Sequence, residues 1–556
     1  MSLPSNFVNA VYCDPGADRY KGNPLIEALP PIMSVQQIKK GLTGKVEFNP
    51  TDIYADGRKR AHIISALLDD FFQPIANHLQ LEEKISIMIR SGYVGRNLSD
   101  GSLNRHMQNG YERIMSGQLD SFRFANTRST ARSLSLIGCS GSGKSSTVNR
   151  ILATYPQAIF HEEHNFTQLS YLRIECPNNG SLKSLCLNFF REVDRVLHTN
   201  YEQRYGQKRY GQPTLLALMS QVATHKAIGM LVIDEIQRLN SRRSGGQDAM
   251  LEFFVELVNT VGVPVILIGT PKARPIFELE LQSGRRSAGF GSLFWEPMRA
   301  TKSLSDCQTG KSKRTEWIAF TDTLWKYQWL QKRDEIMSDE IRDCWYDLSQ
   351  GVLDIVVKLF VLAQLRAIAI GLERINVKLL RHVYDEELKP VHPMLAALRS
   401  GDPELIAKYS DLHVQDIDKK VLELRKKIDD YQLDESSEKE RYGGNEQALR
   451  LHSLLRGMDC HSDLLVPLIE KVFADHPNLS VREMIPLVLE WYENLNQKQE
   501  KAPLNNMIYI KEKDWHKLET DDIRFKSSQG EQSLIYEALK SQGIIFDLQH
   551  WLEKAG

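Results

Sequence analysis

Five strand-like runs within residues 126–298 predict the strands of a parallel sheet. A continuous apolar run is typical of a strand covered on both faces, and the stretches between these runs are long enough for helical crossovers. The runs are 134–137, 170–175, 230–233, 263–268 and 292–295. The pattern therefore predicts the fold class α/β, with a parallel sheet flanked by helices.

Outside this core, apolar residues recur mostly at helical spacing. Residues 60–126 are predicted to be helical, and residues 316–398 are predicted to form a helical lid over the nucleotide-binding end of the core. Residues 416–447 are highly charged, which predicts an exposed amphipathic helix acting as a coiled-coil-like connector. Its apolar positions at helical spacing are Val421, Leu424, Ile428 and Tyr431.

Turn-forming residues divide the chain further. Prolines are frequent in residues 1–60, which predicts an extended arm or small appendage rather than a core. Residues 498–503 are predicted to form a linker that leads to a final tail. The predicted domains are an N-terminal arm that binds partners (1–60), an α/β core with a helical lead-in (61–298), a helical lid (299–400), a charged connector with a helical module (401–498), and a linker with a C-terminal docking tail (499–556).

The first predicted strand runs directly into a glycine-rich loop of the pattern G-x-x-x-x-G-K-[ST], followed by a predicted helix. This context indicates a phosphate-binding loop, in which backbone N–H groups face the β-phosphate of a nucleotide. Lys144 then adds a cation near the β- and γ-phosphates, and the Ser145 hydroxyl is placed for Mg²⁺. The residues expected to hold ATP are Gly138, Ser140, Gly141, Ser142, Gly143, Lys144, Ser145 and Ser146.

Two carboxylates follow the third apolar run and complete the expected chemistry. Ligands bind at the carboxyl ends of strands in an open α/β sheet, so Asp234 is placed to hold Mg²⁺ through water. Glu235 is placed to polarise the water that attacks the γ-phosphate. Thr270 ends the next strand, where a polar group would lie between the acids and that phosphate. The acidic pair favours hydrolysis of ATP over its storage.

Paired arginines precede the last predicted strand. Arg285 and Arg286 lie where a neighbouring subunit's γ-phosphate would be contacted, and the guanidinium fork suits phosphate oxygens. A solvated basic turn is the alternative interpretation for either arginine.

The composition of the chain restricts how it could bind nucleic acid and which cellular compartment suits it. Lys+Arg 70 against Asp+Glu 71 gives a net charge of −1, so nucleic-acid binding must come from local patches. The 7 cysteines are an odd number without a C-x-x-C pair, which favours a reducing cytoplasm. We expect neither a signal peptide nor a membrane span. The His161-Glu-Glu-His164 stretch has the wrong spacing for a zinc-protease box and predicts a surface turn.

The order of these features resembles the AAA+ ATPases, and four further stretches resemble the TnsC family, the target-selecting AAA+ regulators of Tn-seven-type DNA transposons. The likeness runs through nearly the whole chain. The four stretches are N-P-L-I-E-A-L-P from Asn23, G-Y-V-G-R from Gly92, C-P-N-N-G-S-L-K from Cys176, and I-G-T-P-K-A-R from Ile268.

The resemblance implies an ATP-dependent switch for DNA transposition in a bacterial cytoplasm. Such proteins bind duplex DNA without strict sequence preference, assemble on it as rings or filaments in the ATP form, and license the transposase until hydrolysis dismantles the assembly. By the same resemblance, Tyr93, Val94 and Arg96 lie against the adenine, and Thr270 replaces a more common asparagine. The implied partners are the transposase subunits TnsA, bound by residues 504–556, and TnsB, with a target selector of the TnsD type.

A basic and aromatic stretch after the second strand is the best candidate for contacts with DNA phosphates. Tyr201, Tyr205 and Tyr210 alternate there with basic residues, and a solvated surface is the alternative for each. The candidate DNA-binding residues, including two in a Ser/Gly-rich loop beyond the acidic pair, are Lys183, Arg204, Lys208, Arg209, Arg242 and Arg243.

Two other functions stay open from the sequence. A replication initiator or loader would share ATP and DNA binding, but residues 448–498 lack a clear helix-turn-helix pattern. A non-hydrolysing scaffold is disfavoured by the intact Glu235.

Overall fold

The computed structural model describes residues 7–116, 132–206, 210–239, 253–254, 262–273, 290–300, 315–414, 417–441, 445–456, 460, 462–477 and 479–500. The chain divides into two compact units, Met1–Arg441 and Tyr442–Gly556. In the described ranges, no helix combines the length and apolar character needed to cross a bilayer.

A parallel five-stranded sheet forms the centre of the first unit. Its strand order is β5-β6-β7-β2-β8, so the strand with the phosphate loop lies between the last two strands of the chain. The strands are β2 (Ser133–Ile137), β5 (Leu172–Glu175), β6 (Leu231–Asp234), β7 (Val265–Gly269) and β8 (Gly291–Phe294). All five predicted strands are confirmed, and the fully buried ones, β6 and β7, are the central apolar runs that a doubly covered sheet requires.

A smaller three-stranded sheet was not predicted from the pattern. It pairs β1 (Phe7–Asn9) parallel to β3 (Ala158–His161), and β3 antiparallel to β4 (Phe166–Leu169). The turn between β3 and β4 holds exposed Glu162, Glu163 and His164, whereas His161 is buried and hydrogen-bonded to Gln168.

Helices cover both faces of the large sheet. The first helices are α1 (Pro24–Glu27), α2 (Val35–Leu42), α3 (Gly57–Asp70), α4 (Ala76–Tyr93) and α5 (Ser102–Ser116). Those within the core are α6 (Lys144–Leu152), α7 (Leu182–Leu197), α8 (Tyr201–Tyr205) and α9 (Gln212–His225). Helices α7 and α9 bury one face of the sheet, while α4 and α6 bury the other.

The N-terminal segment packs onto the core, so the expectation of an extended arm was wrong. Leu25 and Ile26 are buried, and the Asn23 amide donates to the Tyr93 carbonyl over 2.9 Å. Pro24 and Pro50 each begin a short helix rather than keeping the chain extended, since proline suits the first turn of a helix.

The lid is a helical bundle. Its helices are α10 (Glu316–Trp325), α11 (Asp339–Ser349), α12 (Leu353–Ala369), α13 (Val377–Glu387), α14 (His392–Ser400), α15 (Pro403–Tyr409) and α16 (Ile417–Arg441). The expectation that α16 is an exposed connector was wrong for its first half. Val421, Leu424 and Ile428 are buried in the core that the lid shares with α3, because together they form one apolar stripe.

The second unit contains three described helices with their own core. They are α17 (Glu446–Arg456), α18 (Ser462–Asp475) and α19 (Val481–Glu500). Leu451, Ile469 and Val488 are among its buried residues. Residues 501–556, which include nearly all of the predicted tail, lie outside the described residues.

Candidate functional site

The phosphate loop joins β2 to α6 and takes a shape that requires glycine. Gly141 and Gly143 have φ angles of +74° and +92°, in the left-handed region that other residues rarely adopt. A Cβ atom at Gly141 would lie 3.0 Å from the Asp354 Cβ of the lid. The two glycines therefore allow the loop to curl and the lid to approach it closely.

Lys144 begins α6 and is buried inside the loop. Its ammonium donates to the carbonyl oxygens of Gly138 and Cys139 over 2.7 and 2.8 Å. Burial lowers the pKa of Lys144, and nearby groups that include Asp234 and Glu235 act against this shift. The ammonium is the cation that a phosphate group entering this loop would meet.

Asp234 ends β6 as a buried carboxylate. Its Oδ1 accepts the Glu235 backbone N–H over 2.8 Å, and its Oδ2 accepts from Arg173 of the neighbouring strand over 2.8 Å. These two bonds fix the direction of the carboxylate. The buried Asp234 oxygens and the Ser145 hydroxyl are hard oxygen donors beside one cavity, a donor set that fits Mg²⁺.

Glu235 follows with a φ angle of +61°, an unusual backbone conformation for a non-glycine residue. Burial raises the pKa of its carboxyl group. The Gln237 side chain donates to Glu235 over 2.7 Å and accepts the Thr270 N–H over 3.2 Å. Gln237 therefore connects the candidate base to the tip of β7, a connection that the sequence did not indicate.

These groups face one cavity of about 860 Å³ between the sheet, the lid and the connection between α3 and α4. Gly138 and Ser142 do not line the cavity but hold the loop in place from behind. The Trp295 backbone lies against Gly138, and the Trp295 indole donates to the Ser142 carbonyl. The predicted residues that line the cavity are Ser140, Gly141, Gly143, Lys144, Ser145, Ser146, Asp234, Glu235 and Thr270.

Apolar side chains form one wall of this cavity. Phe71 and Phe72 follow α3, and Phe320, Leu353 and Val357 come from the lid. The Phe71 and Phe320 rings meet edge to face with centroids 5.5 Å apart. A flat purine base fits a wall of this composition.

Two residues beside this wall, Gln73 and His78, each carry a buried polar atom without a hydrogen-bond partner among the described residues. His78 stacks between Phe72 and Trp295, and its Nδ1 accepts the Ile75 N–H over 3.2 Å. Burial lowers the pKa of His78 to about 4, so the neutral ring carries its proton on Nε2. Neither His78 Nε2 nor Gln73 Oε1 has a hydrogen-bond partner among the described residues, although both residues line the cavity. Together they offer one donor and one acceptor.

The expectation that Tyr93, Val94 and Arg96 contact the adenine was wrong. None of the three lines the cavity. Tyr93 is fully buried, and its hydroxyl donates to the Ala227 carbonyl over 2.8 Å near the amino ends of the strands. The Arg96 guanidinium lies 5.0 Å from the Tyr93 ring centroid and donates to the Gly92 carbonyl. The Tyr93 ring is therefore part of the hydrophobic core, at the opposite edge of the sheet from the phosphate loop.

The end of the lid also reaches the cavity. Asp411 and His413, which the sequence did not single out, line the phosphate end of the cavity. Two cations on the lid helix α12 do not line the cavity: Lys358 pairs with Asp354 over 2.7 Å, and Arg366 pairs with Glu386 over 3.1 Å.

The candidate DNA surface is described only in part. Arg204 is exposed on α8, and Lys183 lies half-buried near the start of the adjoining helix α7. Tyr201 and Tyr205 stack on each other and pack against the core, so they do not form an open aromatic platform. The predicted residues outside the described ranges are Lys208, Arg209, Arg242, Arg243, Arg285 and Arg286.

One signal for the missed residues is present in the sequence. Phe71-Phe-Gln-Pro74 places two aromatics and an amide directly after a helix and before a proline, which typically ends a helix. No local pattern marks His413 or Asp411.

Two family models match separate parts of the chain. The model described as AAA domain matches residues 127–277, and the model described as Tn7 transposition regulator TnsC matches residues 510–555. The first match covers β2 through β7, and the sheet order and phosphate loop agree with it. No protein with a curated description matches the chain.

Solved structures give weaker likenesses. A Walker-type ATPase of Pyrococcus abyssi is 15% identical over 57% of this chain and 88% of its own, with a TM-score of 0.30. Drosophila ORC bound to DNA is 12% identical over 54% of this chain and 64% of its own, with a TM-score of 0.29. Cdc6p from Pyrobaculum aerophilum is 14% identical over 60% and 95%, with a TM-score of 0.24. Scores of this size add no weight to fold or function.

Proposed function

The chain is a TnsC-type AAA+ ATPase with a role in regulating transposition, and from that premise we propose that it is an ATP-gated platform on target DNA. In this proposal it assembles on duplex DNA with ATP bound, relays the selected target site to the transposase, and is dismantled by hydrolysis. The observation that carries the proposal is the single cavity walled by the phosphate loop, the acidic end of β6 and the lid. A nucleotide bound there touches elements that can move relative to one another, so its state can control assembly.

The ATP chemistry follows from the residues of this cavity. In our proposal the phosphate loop and Lys144 hold the phosphates, while Ser145 and Asp234 hold Mg²⁺, which supplies charge neutralisation at the phosphates when bound. Glu235 takes a proton from the attacking water, and its raised pKa makes it a stronger base than an exposed carboxylate. Thr270 contacts the γ-phosphate from the tip of β7.

Adenine recognition is assigned to the apolar wall. Phe72 and Phe320 enclose the base, and the Gln73 Oε1 acceptor and His78 Nε2 donor are the unpartnered polar atoms beside it. A donor and an acceptor match the amino group and a ring nitrogen of adenine. Guanine presents a carbonyl in place of that amino group and would leave Gln73 unpaired.

DNA binding is proposed for the basic segment around α8. Exposed Arg204, together with Lys183, Lys208 and Arg209, would contact phosphates and give salt-dependent binding with little sequence preference. The net charge of −1 supports a local patch rather than a generally basic surface. Arg242 and Arg243 are proposed as further contacts.

The partners are proposed from the tail and from the assembly. We propose that TnsA docks on residues 504–556, the segment that contains the match of residues 510–555 to the TnsC model. TnsB and a target selector of the TnsD type are the other proposed partners. A homo-oligomer in the bacterial cytoplasm, with Arg285 or Arg286 reaching a neighbour's γ-phosphate, completes the proposal.

The test is Glu235→Gln, which keeps the shape of the side chain and removes the base. We expect phosphate release to fall at least about a hundredfold, as for other lost general bases, while ATP-dependent DNA binding persists. Glu163→Gln is the matched control, because Glu163 is an exposed carboxylate in the turn before β4. Phosphate release, DNA retention and electron-microscope images of particles on DNA are compared with ATP, ADP and no nucleotide.

Different outcomes test the ATP-gated platform, the catalytic role of Glu235 and the control of DNA binding by nucleotide. Assemblies on DNA with ATP that persist longer in Glu235→Gln support an ATP-gated platform. Unchanged phosphate release in Glu235→Gln would contradict the catalytic role of Glu235. DNA binding that is equal with ATP, with ADP and without nucleotide would contradict the gating.

A further inference from the structure

The lid tail, defined here as residues 410–413, is anchored on the phosphate loop. The carbonyl oxygen of buried Ser410 accepts the Ser140 N–H of the loop over 2.7 Å. Helix α15 ends immediately before the lid tail, and Val414 immediately after it is buried. The lid tail is therefore a short bridge between two fixed points of the lid that passes through the nucleotide site.

Asp411 projects from this bridge to the tip of β7. Its Oδ1 accepts a short hydrogen bond from the Thr270 hydroxyl, and its Oδ2 pairs with Lys272 over 3.0 Å. Through Gln237, Thr270 is connected to Glu235, so Asp411 lies at the end of the cavity where hydrolysis would take place. The carboxylate thus binds two groups that are themselves suited to a γ-phosphate.

Two of the acids at this end of the cavity already have cationic partners, because Arg173 pairs with Asp234 over 2.8 Å and Arg238 pairs with Glu235 over 3.5 Å. Asp234, Glu235 and Asp411 also interact electrostatically with the buried ammonium of Lys144. Mg²⁺ would offset Asp234, but Asp411 pairs with exposed Lys272 and faces the cavity from the lid. A γ-phosphate beside Thr270 would meet the Asp411 carboxylate at short range and be repelled by it.

We propose that Asp411 distinguishes ATP from ADP, because the γ-phosphate must displace its carboxylate from Thr270 and Lys272 whereas ADP leaves it in place. This inference rests on the proposed nucleotide site. Displacement frees the two β7-tip groups for the γ-phosphate and releases the lid tail. Asp411 is thereby a specificity-determining residue for the nucleotide state.

Because the lid tail is continuous with the lid helices, its displacement would also move those helices. The tail ends before α16, whose Leu424 and Ile428 are packed in the core shared by α12 and α3. A shift of the tail is therefore passed to helices that also wall the cavity through Leu353 and Val357. ATP and ADP forms would therefore differ in the arrangement of the lid.

The test compares the full chain with Asp411→Asn. Asparagine keeps the size of the side chain and its ability to accept from Thr270, but it removes the charge. Asp418→Asn is the matched control, because Asp418 is an exposed acid near the start of α16. Dissociation constants are measured for Mg-ADP and for a Mg-bound, slowly hydrolysed ATP analogue by calorimetry.

We expect Asp411→Asn to bind the ATP analogue about tenfold more tightly, since one repulsive charge is lost. Its affinity for ADP should change less than about twofold, and Asp418→Asn should match the wild type for both nucleotides. An equal change for both nucleotides, or no change for either, would overturn the inference while leaving the nucleotide site intact. Failure of the wild-type chain to bind ADP would instead overturn the proposed function and this inference together.

A second readout uses the unmodified protein. Hydrogen exchange at residues 408–414 should rise with the ATP analogue and stay unchanged with ADP, because only the γ-phosphate displaces the lid tail. Protection of this segment by the ATP analogue would contradict the displacement, and it would indicate that the tail closes on the triphosphate. The same measurement on Asp411→Asn shows whether that variant retains the fold of the lid.

Discussion

His78 shows how one residue of the cavity combines structure and recognition. The ring is enclosed by Phe72 and Trp295, and its Nδ1 is occupied by the Ile75 N–H. These contacts leave only Nε2 for a ligand and keep the ring neutral. An unfolded chain has no such restriction, so the same contacts connect the protonation of His78 to stability.

His78 should make the first unit less stable in mild acid. Its folded pKa is about 4, below the ordinary value near 6.5, so the unfolded chain binds the proton first as the pH falls. The stability that the neutral His78 ring contributes is fully present above about pH 6.5 and is lost between about pH 6.5 and 4. The free energy of unfolding should therefore fall by roughly 2 kcal/mol between pH 7.5 and pH 5.

The measurement is the midpoint of thermal unfolding from pH 7.5 to pH 5 for the wild type and His78→Phe. Phenylalanine keeps the stacking but cannot titrate, so the variant should lose less stability over this interval. His164→Phe, at an exposed histidine, is the control and should follow the wild type. Parallel pH curves for all three proteins would exclude His78 as the titrating group.

At the scale of elements, a buried ion pair fixes the lid to helix α3. Arg60 of α3 makes two hydrogen bonds of 2.7 and 2.8 Å to Glu373, which follows α12. Arg60 also donates to the Trp329 carbonyl over 3.0 Å. Because Phe71 and Phe72 follow α3 directly, this pair also positions the apolar wall of the cavity.

Arg60→Met should therefore cost about 3–5 kcal/mol of stability, because it leaves the Glu373 charge buried without a partner. Arg60→Met combined with Glu373→Gln should recover part of the loss. Lys59→Met removes a neighbouring exposed pair with Asp52 and should cost less than about 1 kcal/mol. Unfolding midpoints in urea give the comparison, and a loss for Arg60→Met no larger than for Lys59→Met would show that the buried pair is not structurally important.

At the scale of the whole molecule, the nucleotide cavity lies entirely within the first compact unit. Within the described part of the chain, its lining residues fall between Leu68 and His413. The segment matched by the TnsC model, residues 510–555, belongs to the second unit. The chain therefore separates the ATP site from the proposed transposase-docking tail along its sequence.

Removal of residues 510–556 should leave ATP hydrolysis and DNA binding unchanged and abolish stimulation of the transposase. The physical reason is that the described residues of the cavity and of the DNA surface all precede residue 414. A chain carrying the same residues in scrambled order is the control for length and charge. Loss of ATP hydrolysis in the shortened chain would contradict this separation of roles.

Several parts of the site could be predicted because their geometry is encoded locally. Gly141 and Gly143 are required by the loop conformation, and the apolar run before Asp234 specifies a central strand with its acid at the ligand-binding end. Residues that act within a few positions of one another leave a pattern in the sequence. The phosphate loop, the acidic pair and the five parallel strands are therefore properties that the sequence determined by itself.

Only the tertiary structure decided which distant segments meet. Phe72 and His78, rather than Tyr93 and Arg96, wall the cavity, and Asp411 reaches Thr270 across more than a hundred residues of chain. An aromatic or an acid in an amphipathic stretch has the same local signal whether it faces a core, solvent or a ligand. The choice depends on which apolar surfaces are buried against each other, because burial drives folding without specifying sequence distance.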